Sequence, residues 1–374
     1  MIAIDATFFE DAETSPSFTV FLAELLDGLA QQQVAQHFCL LINRSAQSYV
    51  QERFPAFQTM TVDDALQRWL LKIAKGKRSA AKITKILRVR LAGFDAIWFP
   101  YATPSLVYRA GCPTLLTVHD LMHYENKRHN PLHLWRFQSM ARSADAWVAI
   151  SRHTRSKLAA YFDLPETEIT VIPNSISVND EVQTPVEEVT ENFILDINGF
   201  GMHKNPLTLL RAFDRIRDQI PHHLVLVGGW RQDDCWNAIE TFVQEHRLKN
   251  RVHLFYALEE DQKQYLLHHA SLFVTPSTNE GFGRTPVEAA MCGVPVISAR
   301  AASLEEATMG LLHYYDDPYD DETLARLMLS CLQDPPAPQK LQAVAQALKE
   351  EYTPTKCAAA YWAILKKHVR GDDC

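Results

Sequence analysis

Thr275-Pro276-Ser277-Thr278-Asn279-Glu280-Gly281-Phe282-Gly283-Arg284-Thr285-Pro286-Val287-Glu288-Ala289-Ala290-Met291-Cys292-Gly293-Val294-Pro295-Val296 decides how this chain folds. Leu272-Phe273-Val274, just before it, reads as a short buried strand that stops at the turn residues Pro276 and Ser277. Gly281 and Gly283 let the backbone turn sharply and leave its N–H groups uncovered. Pro286 suits a first helical turn, where a missing N–H costs nothing. Orphan donors and the positive end of the helix dipole then face whatever binds, which favours an anion. The order strand, glycine turn, helix start builds a ligand crevice at the carboxyl edge of a parallel sheet.

Glu280 and Glu288 stand eight positions apart in that stretch. Were they on one helix, the rise between them would be about 12 Å. That is too far for a retaining hydrolase pair, whose carboxyls lie roughly 5–5.5 Å apart. The spacing suits two ends of one elongated ligand. Taken alone, it also suits a helix cap and a solvated glutamate.

Outward from this stretch, strands alternate with helical segments. Phe94–Pro100, Thr114–Val118 and Ala146–Ile150 are the strand candidates of the first half, after an opening strand at Met1–Asp5. Phe193–Ile197, Leu224–Val227, Val252–Phe255, Leu272–Thr275 and Val294–Ile297 are those of the second. Such alternation predicts parallel sheets covered by helices on both faces, hence an α/β protein of two Rossmann-like domains. A chain of 374 residues is long for one core and fits two. Residues 178–191 are acidic, polar and carry Pro185, which predicts a linker there. The expected layout is 1–177, linker 178–191, 192–350, and a terminal helix within 351–374.

Composition narrows the class. No apolar run approaches a membrane span. Met1-Ile2-Ala3-Ile4-Asp5 lacks the basic lead and long apolar core of a signal peptide. Seven scattered cysteines without a Cys-x-x-Cys pair point to reduced thiols in a cytoplasmic protein and to no zinc site. Gly199-Phe200-Gly201 begins a G-x-G, but Lys204 stands where the third glycine of a dinucleotide fingerprint belongs. Asp233-Asp234 and Asp320-Asp321 lack the strand-end setting of a metal-binding pair, and no metal is expected.

Charge is unevenly spread. From Leu66 to Phe94 the sequence carries nine basic residues and no acidic one, in a chain whose formal net charge is −8. Trp69, Leu70, Ile73, Ile83, Ile86 and Leu87 are interleaved with them. A basic amphipathic helix of this kind can adhere to an anionic membrane surface, at about 1 kcal/mol per basic residue. It can equally be a solvated helix packed by its apolar stripe. The acidic overall charge argues against nucleic acid.

The stretch Glu280–Ile297 resembles the signature E-G-F-G-x-x-x-x-E-A-M-x-x-G-x-P-V-I of the retaining GT-B glycosyltransferases of family 4. The resemblance covers most of the chain. Asn198-Gly199-Phe200-Gly201-Met202-His203-Lys204-Asn205-Pro206 looks like the loop after the first strand of that family's second domain, and Ser303-Leu304-Glu305-Glu306 like its S-L-P-E. Thr117-Val118-His119-Asp120-Leu121, Ala149-Ile150-Ser151-Arg152-His153-Thr154 and Val171-Ile172-Pro173-Asn174 match its H-D, V-S-x-x-T and I-P-N-G elements, with Ser175 in place of the glycine.

That resemblance implies sugar transfer, with retention, from a nucleotide diphosphate sugar, GDP-mannose or a UDP-sugar leading, to a glycan or lipid-linked acceptor. The donor would sit mostly on the second domain and the acceptor on the first, across a central cleft. The acceptor hydroxyl would attack on the face the nucleotide leaves, and the phosphate would take its proton. Glu280 would orient the sugar hydroxyls, Glu288 the ribose, and Lys204 the pyrophosphate. His203, Gly281, Phe282, Gly283, Arg284 and Thr285 complete the donor contacts, and His119 would lie beside the transferred sugar. The terminal helix would cross back to the first domain. Relatives often carry a glycine-rich turn after the opening strand, whereas Glu13-Thr14-Ser15-Pro16-Ser17-Phe18-Thr19 has no glycine. A glycoside phosphorylase or a noncatalytic nucleotide-sugar-binding subunit on the same scaffold would share these residues.

Overall fold

The computed structural model describes residues 1–9, 16–62, 93–101, 112–121, 137–138, 141–142, 144–179, 184–189, 192–229, 231 and 233–368. The basic segment 66–94 therefore lies outside the described residues except for Gly93 and Phe94. So do Glu13, Thr14 and Ser15 of the first loop.

The chain forms two compact units, Met1–Ser175 with Thr353–Cys374, and Ile176–Tyr352. In the first, strands β1 (Ile2–Asp5), β2 (Phe38–Ile42), β3 (Gln58–Thr61), β4 (Ala96–Phe99), β5 (Thr114–Val118), β6 (Ala146–Ala149) and β7 (Ile169–Val171) make one parallel sheet. Their order is β3-β2-β1-β4-β5-β6-β7. In the second, β8 (Phe193–Ile197), β9 (His223–Gly228), β10 (Val252–Tyr256), β11 (Leu272–Thr275), β12 (Val296–Ala299) and β13 (His313–Tyr315) make another, in the order β10-β9-β8-β11-β12-β13. Leu272 lies opposite Ile194 on one side, and Phe273 opposite Val296 on the other. Strand order reverses between β1 and β4 and between β8 and β11, and a parallel sheet opens its ligand crevice at such a point.

Most expected strands appear within a residue or two of the sequence reading. β12 starts at Val296 rather than Val294, because Pro295 has no N–H to give a ladder and offers only its carbonyl, to Phe273 N–H at 2.9 Å. β2, β3, β7 and β13 were not anticipated.

The first unit is closed by the far end of the chain. The helix Pro354–Leu365 packs on the helix Pro16–Gln31. Tyr361 is fully buried there and stacks on Trp98, centroids 4.4 Å apart at 28°. Trp98 Nε1 donates to Thr117 Oγ1 at 3.0 Å, and that hydroxyl donates to the Tyr361 hydroxyl at 3.2 Å, so the polar tips of a buried stack satisfy one another. Contact is closest at Gly28, where a Cβ would stand 2.2 Å from the Pro354 carbonyl oxygen.

The acidic segment expected as a linker belongs with the second unit. Thr184 Oγ1 donates to Asp261 Oδ2 at 2.5 Å, and Val186 is buried. The division between units falls instead at Ser175/Ile176 and Tyr352/Thr353. Ile176 N–H donates to the Tyr352 carbonyl at 2.9 Å, which ties the two ends of the second unit together. Among the described residues, no helix is long and apolar enough to cross a membrane.

Candidate functional site

The loops after β8 and β11 flank the reversal point of the second sheet. The first ends in a 3-10 turn, Met202–Lys204, in which Lys204 N–H donates to the Gly201 carbonyl at 2.9 Å. Asn205 follows in the left-handed region at φ +56°, which its short polar side chain tolerates. Its amide nitrogen reaches the carbonyls of Pro276 at 3.2 Å and Pro318 at 2.7 Å. Thr278 donates both its backbone N–H, at 2.8 Å, and its hydroxyl, at 3.1 Å, to the His203 carbonyl. These bonds latch the two loops side by side.

Across the latch, Lys204 Nζ meets Glu280 Oε1 at 2.7 Å, with side chains 15% and 13% exposed. Ser303 Oγ holds the Glu280 carbonyl at 2.8 Å. Gly283 then turns at φ +92°, which favours glycine, and a Cβ on it would also press on Leu304 Cδ2 at 2.6 Å. The helix Arg284–Met291 starts there, with Pro286 in its first turn. Phe282 is buried edge-on against Tyr352, centroids 5.3 Å apart, and so offers a ligand its backbone rather than its ring.

Glu288 sits one turn into that helix and is buried. Arg284 Nε lies 3.3 Å from its Oε1. Its Oε2 is buried with no hydrogen-bond partner among the described residues, as are Thr275 Oγ1 and Ser277 Oγ at the end of β11. Lys263, on the helix Glu260–His269, bonds Glu260 Oε2 at 2.8 Å. Burial pulls this ammonium down, but the charges of Glu288 and Glu260 outweigh burial and hold it above its ordinary value.

Near the end of β8, the buried carboxyl of Asp196 accepts a hydrogen bond from Asn198 Nδ2 at 2.6 Å. Burial pushes Asp196 up to about 7, against the lowering effects of the Asn198 bond and of Lys204. The Tyr315 hydroxyl is held above its usual range by burial first and by Asp196 second.

His119, in the first unit, follows β5. Its Nε2 lies 3.0 Å from the Pro100 carbonyl oxygen, which can only accept, so that nitrogen carries a hydrogen. The ring stacks on Tyr101 at 4.6 Å and meets Phe21 edge-on at 4.8 Å. Thr154 Oγ1 donates to the His119 carbonyl at 3.3 Å, while Ser151 Oγ caps the helix Arg152–Phe162 by accepting from Thr154 N–H at 3.0 Å.

The second unit thus gathers His203, Lys204, Glu280, Gly283, Arg284 and Glu288 around one reversal point, and His119 belongs to the other unit. Sequence reasoning missed Asp196 and Lys263, and it named Asn198 and Ser303 only as members of motifs, with no role of their own. The single acidic residue in the otherwise apolar strand Phe193–Ile197 was a readable signal for the first.

Two parallel sheets, of seven and six strands, each covered by helices, are the architecture of the GT-B glycosyltransferases. Residues 178–348 match the profile described as Glycosyl transferases group 1, and residues 19–180 the one described as Glycosyltransferase Family 4. The chain belongs to glycosyltransferase family 4. It is 28% identical over 236 residues to O-antigen chain mannosyltransferase B of Escherichia coli, a match covering 58% of this chain and 61% of that protein. It is 26% identical over 177 residues to the O-antigen chain mannosyltransferase RfbU of Salmonella typhimurium, covering 47% and 48%. The chain thus spans about half to three-fifths of the length of the curated relatives it matches. Among solved structures, Anabaena HepE in complex with UDP superposes with a TM-score of 0.68 at 17% identity, over 98% of this chain and 99% of that one. Sucrose-phosphate synthase from Thermosynechococcus elongatus gives 0.71 at 19%, over 98% of both.

Proposed function

We propose that this chain is a retaining transferase that moves a hexose, mannose by preference, from a nucleotide diphosphate sugar to a glycan or lipid-linked acceptor. Lys204 and the helix start at Gly283–Thr285 stabilise the departing diphosphate, where fixed charge counts most as negative charge develops. Glu280 orients the sugar hydroxyls and Glu288 the ribose. His203 lends a further donor to the phosphates, and His119 stands beside the transferred sugar. The mannosyltransferase names of the relatives support the sugar, and the UDP complex of the structural neighbour supports a nucleotide donor.

The observation that carries this reading is the buried Oε2 of Glu288, which has no hydrogen-bond partner among the described residues. A charged acceptor left unmade in a buried site costs upward of about 1–3 kcal/mol, and a ribose hydroxyl repays it. Calorimetry with GDP, UDP, ADP, dTDP and their sugar conjugates tests the reading: one base binds the wild type and loses affinity in Glu288→Ala. Equal affinity in both proteins removes the ribose role.

The basic sequence of residues 66–94 makes an anionic membrane surface the proposed second partner. Neutralising Lys75, Lys77, Arg78 and Lys82 together should reduce co-sedimentation with anionic vesicles. Unchanged binding withdraws this partner.

A further inference from the structure

A buried carboxylic acid is out of place in a central parallel strand, even one residue from its carboxyl end. All five residues of Phe193–Ile197 are buried, and Asp196, 3% exposed, is the only polar one. Among the described residues, its carboxyl accepts a hydrogen bond from Asn198. The charged and titratable groups that act on it are Lys204, from the loop after β8, Glu280, from the loop after β11, and the Tyr315 phenol on β13. Lys204 lowers and Glu280 raises the proton affinity of Asp196 through their charges, and Lys204 is itself paired with Glu280 at 2.7 Å.

We infer that Asp196 is a positioning residue that couples donor binding to a proton: above neutral pH its carboxyl is ionised in the empty site and takes up a proton from solvent when a nucleotide diphosphate sugar seats beside Lys204. This rests on the donor reading above. The empty site balances Asp196 and Glu280 against Lys204. An arriving pyrophosphate adds negative charge and competes for the same ammonium. Asp196 is too buried for water to make good that loss, so the carboxyl is neutralised by the proton it gains. Protonation leaves Lys204 shared between Glu280 and the phosphates alone. Burial already holds the empty-site carboxyl at about 7, so the uptake falls just above neutrality.

The direction follows from linkage. A group whose proton affinity rises on binding makes the complex strongest at low pH and weaker as pH rises through its empty-site value. Donor Kd should therefore rise with pH above about 7, at most about tenfold per pH unit for one proton.

The test is titration calorimetry of the whole chain with GDP-mannose and UDP-glucose, whose pyrophosphates carry no titrating proton near neutrality. It is run at pH 7.5 in buffers of different ionisation enthalpy. Wild type should take up roughly half a proton per donor bound, and Asp196→Asn none. Counted per donor bound, His203→Gln should keep the uptake even with a weaker affinity, because the imidazole is not its source. Asn198→Ala should move the pH midpoint of uptake upward, since the bond it removes favours the ionised carboxyl; this variant and His203→Gln decide the matter if Asp196→Asn does not fold. Donor binding by wild type without proton uptake overturns the inference and leaves the donor reading standing. Uptake that survives in Asp196→Asn, or vanishes in His203→Gln, also overturns it. Failure of wild type to bind either donor overturns the donor reading, and this inference with it.

Discussion

Lys204 and Glu280 come from loops 76 positions apart in sequence and meet at 2.7 Å, on loops that the bonds of Thr278 and Asn205 also tie together. Lys204→Ala should therefore disturb chemistry more than folding. Turnover should drop about 10²–10³-fold, the scale for losing one fixed group that stabilises developing charge, a larger loss than the fall in stability from leaving Glu280 unpaired. Glu288→Ala should weaken nucleotide binding by about 10- to 100-fold, the worth of one charged hydrogen bond, read by calorimetry. Asp196 gives a stability test that needs no ligand. Its folded value near 7 lies above the ordinary carboxylate value, so its contribution is fully present below about pH 4 and is lost as pH rises through 7. Between pH 5 and pH 8, denaturant titrations should show wild type losing a few kcal/mol relative to Asp196→Asn, on the order of 1.4 kcal/mol per pH unit. Lys204, Glu280 and Glu288 were legible because motif spacing names them. Lys263 was not, since its role comes from neighbours brought together only by folding; Asp196 stands out as the one acid of an apolar strand, but its neighbours Lys204 and Glu280 are likewise supplied only by folding.

At the scale of elements, the turn at Gly283 shows what a one-residue requirement enforces. Gly283→Ala places a Cβ against Leu304 and demands left-handed backbone of a residue that disfavours it. We expect a loss of about 1–3 kcal/mol in denaturant titration together with weakened nucleotide binding, because the helix start is displaced. Adding Leu304→Ala should relieve the contact but not the backbone strain, so recovery should be partial. The same scale explains which strands could be read in advance. β5, β8 and β11 are buried throughout and sit inside their sheets, so they are short apolar runs between clear turn residues. β3 and β7 lie at the edges of the first sheet and β13 at an edge of the second. Edge strands are buried on fewer sides, and Gln58–Thr61 accordingly alternates too weakly to be told from loop. β2 is a different miss: Phe38–Ile42 is wholly apolar, and short apolar runs do not separate strand from helix by periodicity.

At the scale of the whole molecule, the first unit is made of both ends of the chain and the second of its middle. Tyr361→Ala should cost about 3–5 kcal/mol, as other large buried aromatics do, and the loss should fall on the first unit. Differential scanning calorimetry should show one transition lowered while that of Ile176–Tyr352 stays in place; a uniform shift of both would mean the units melt as one. The bond between Ile176 and Tyr352 makes the middle segment an insertion whose entrance and exit coincide. That arrangement sets the order of events on the ribosome. Residues 176–352 are delivered as one continuous run and can close their sheet as soon as the last of them emerges. The half synthesised first must wait, with the Gly28 face of its opening helix uncovered, until Pro354–Leu365 arrives to fill it. Folding therefore finishes in the reverse of the order of synthesis, and a stop within the final helix would spoil the half of the protein that was made first.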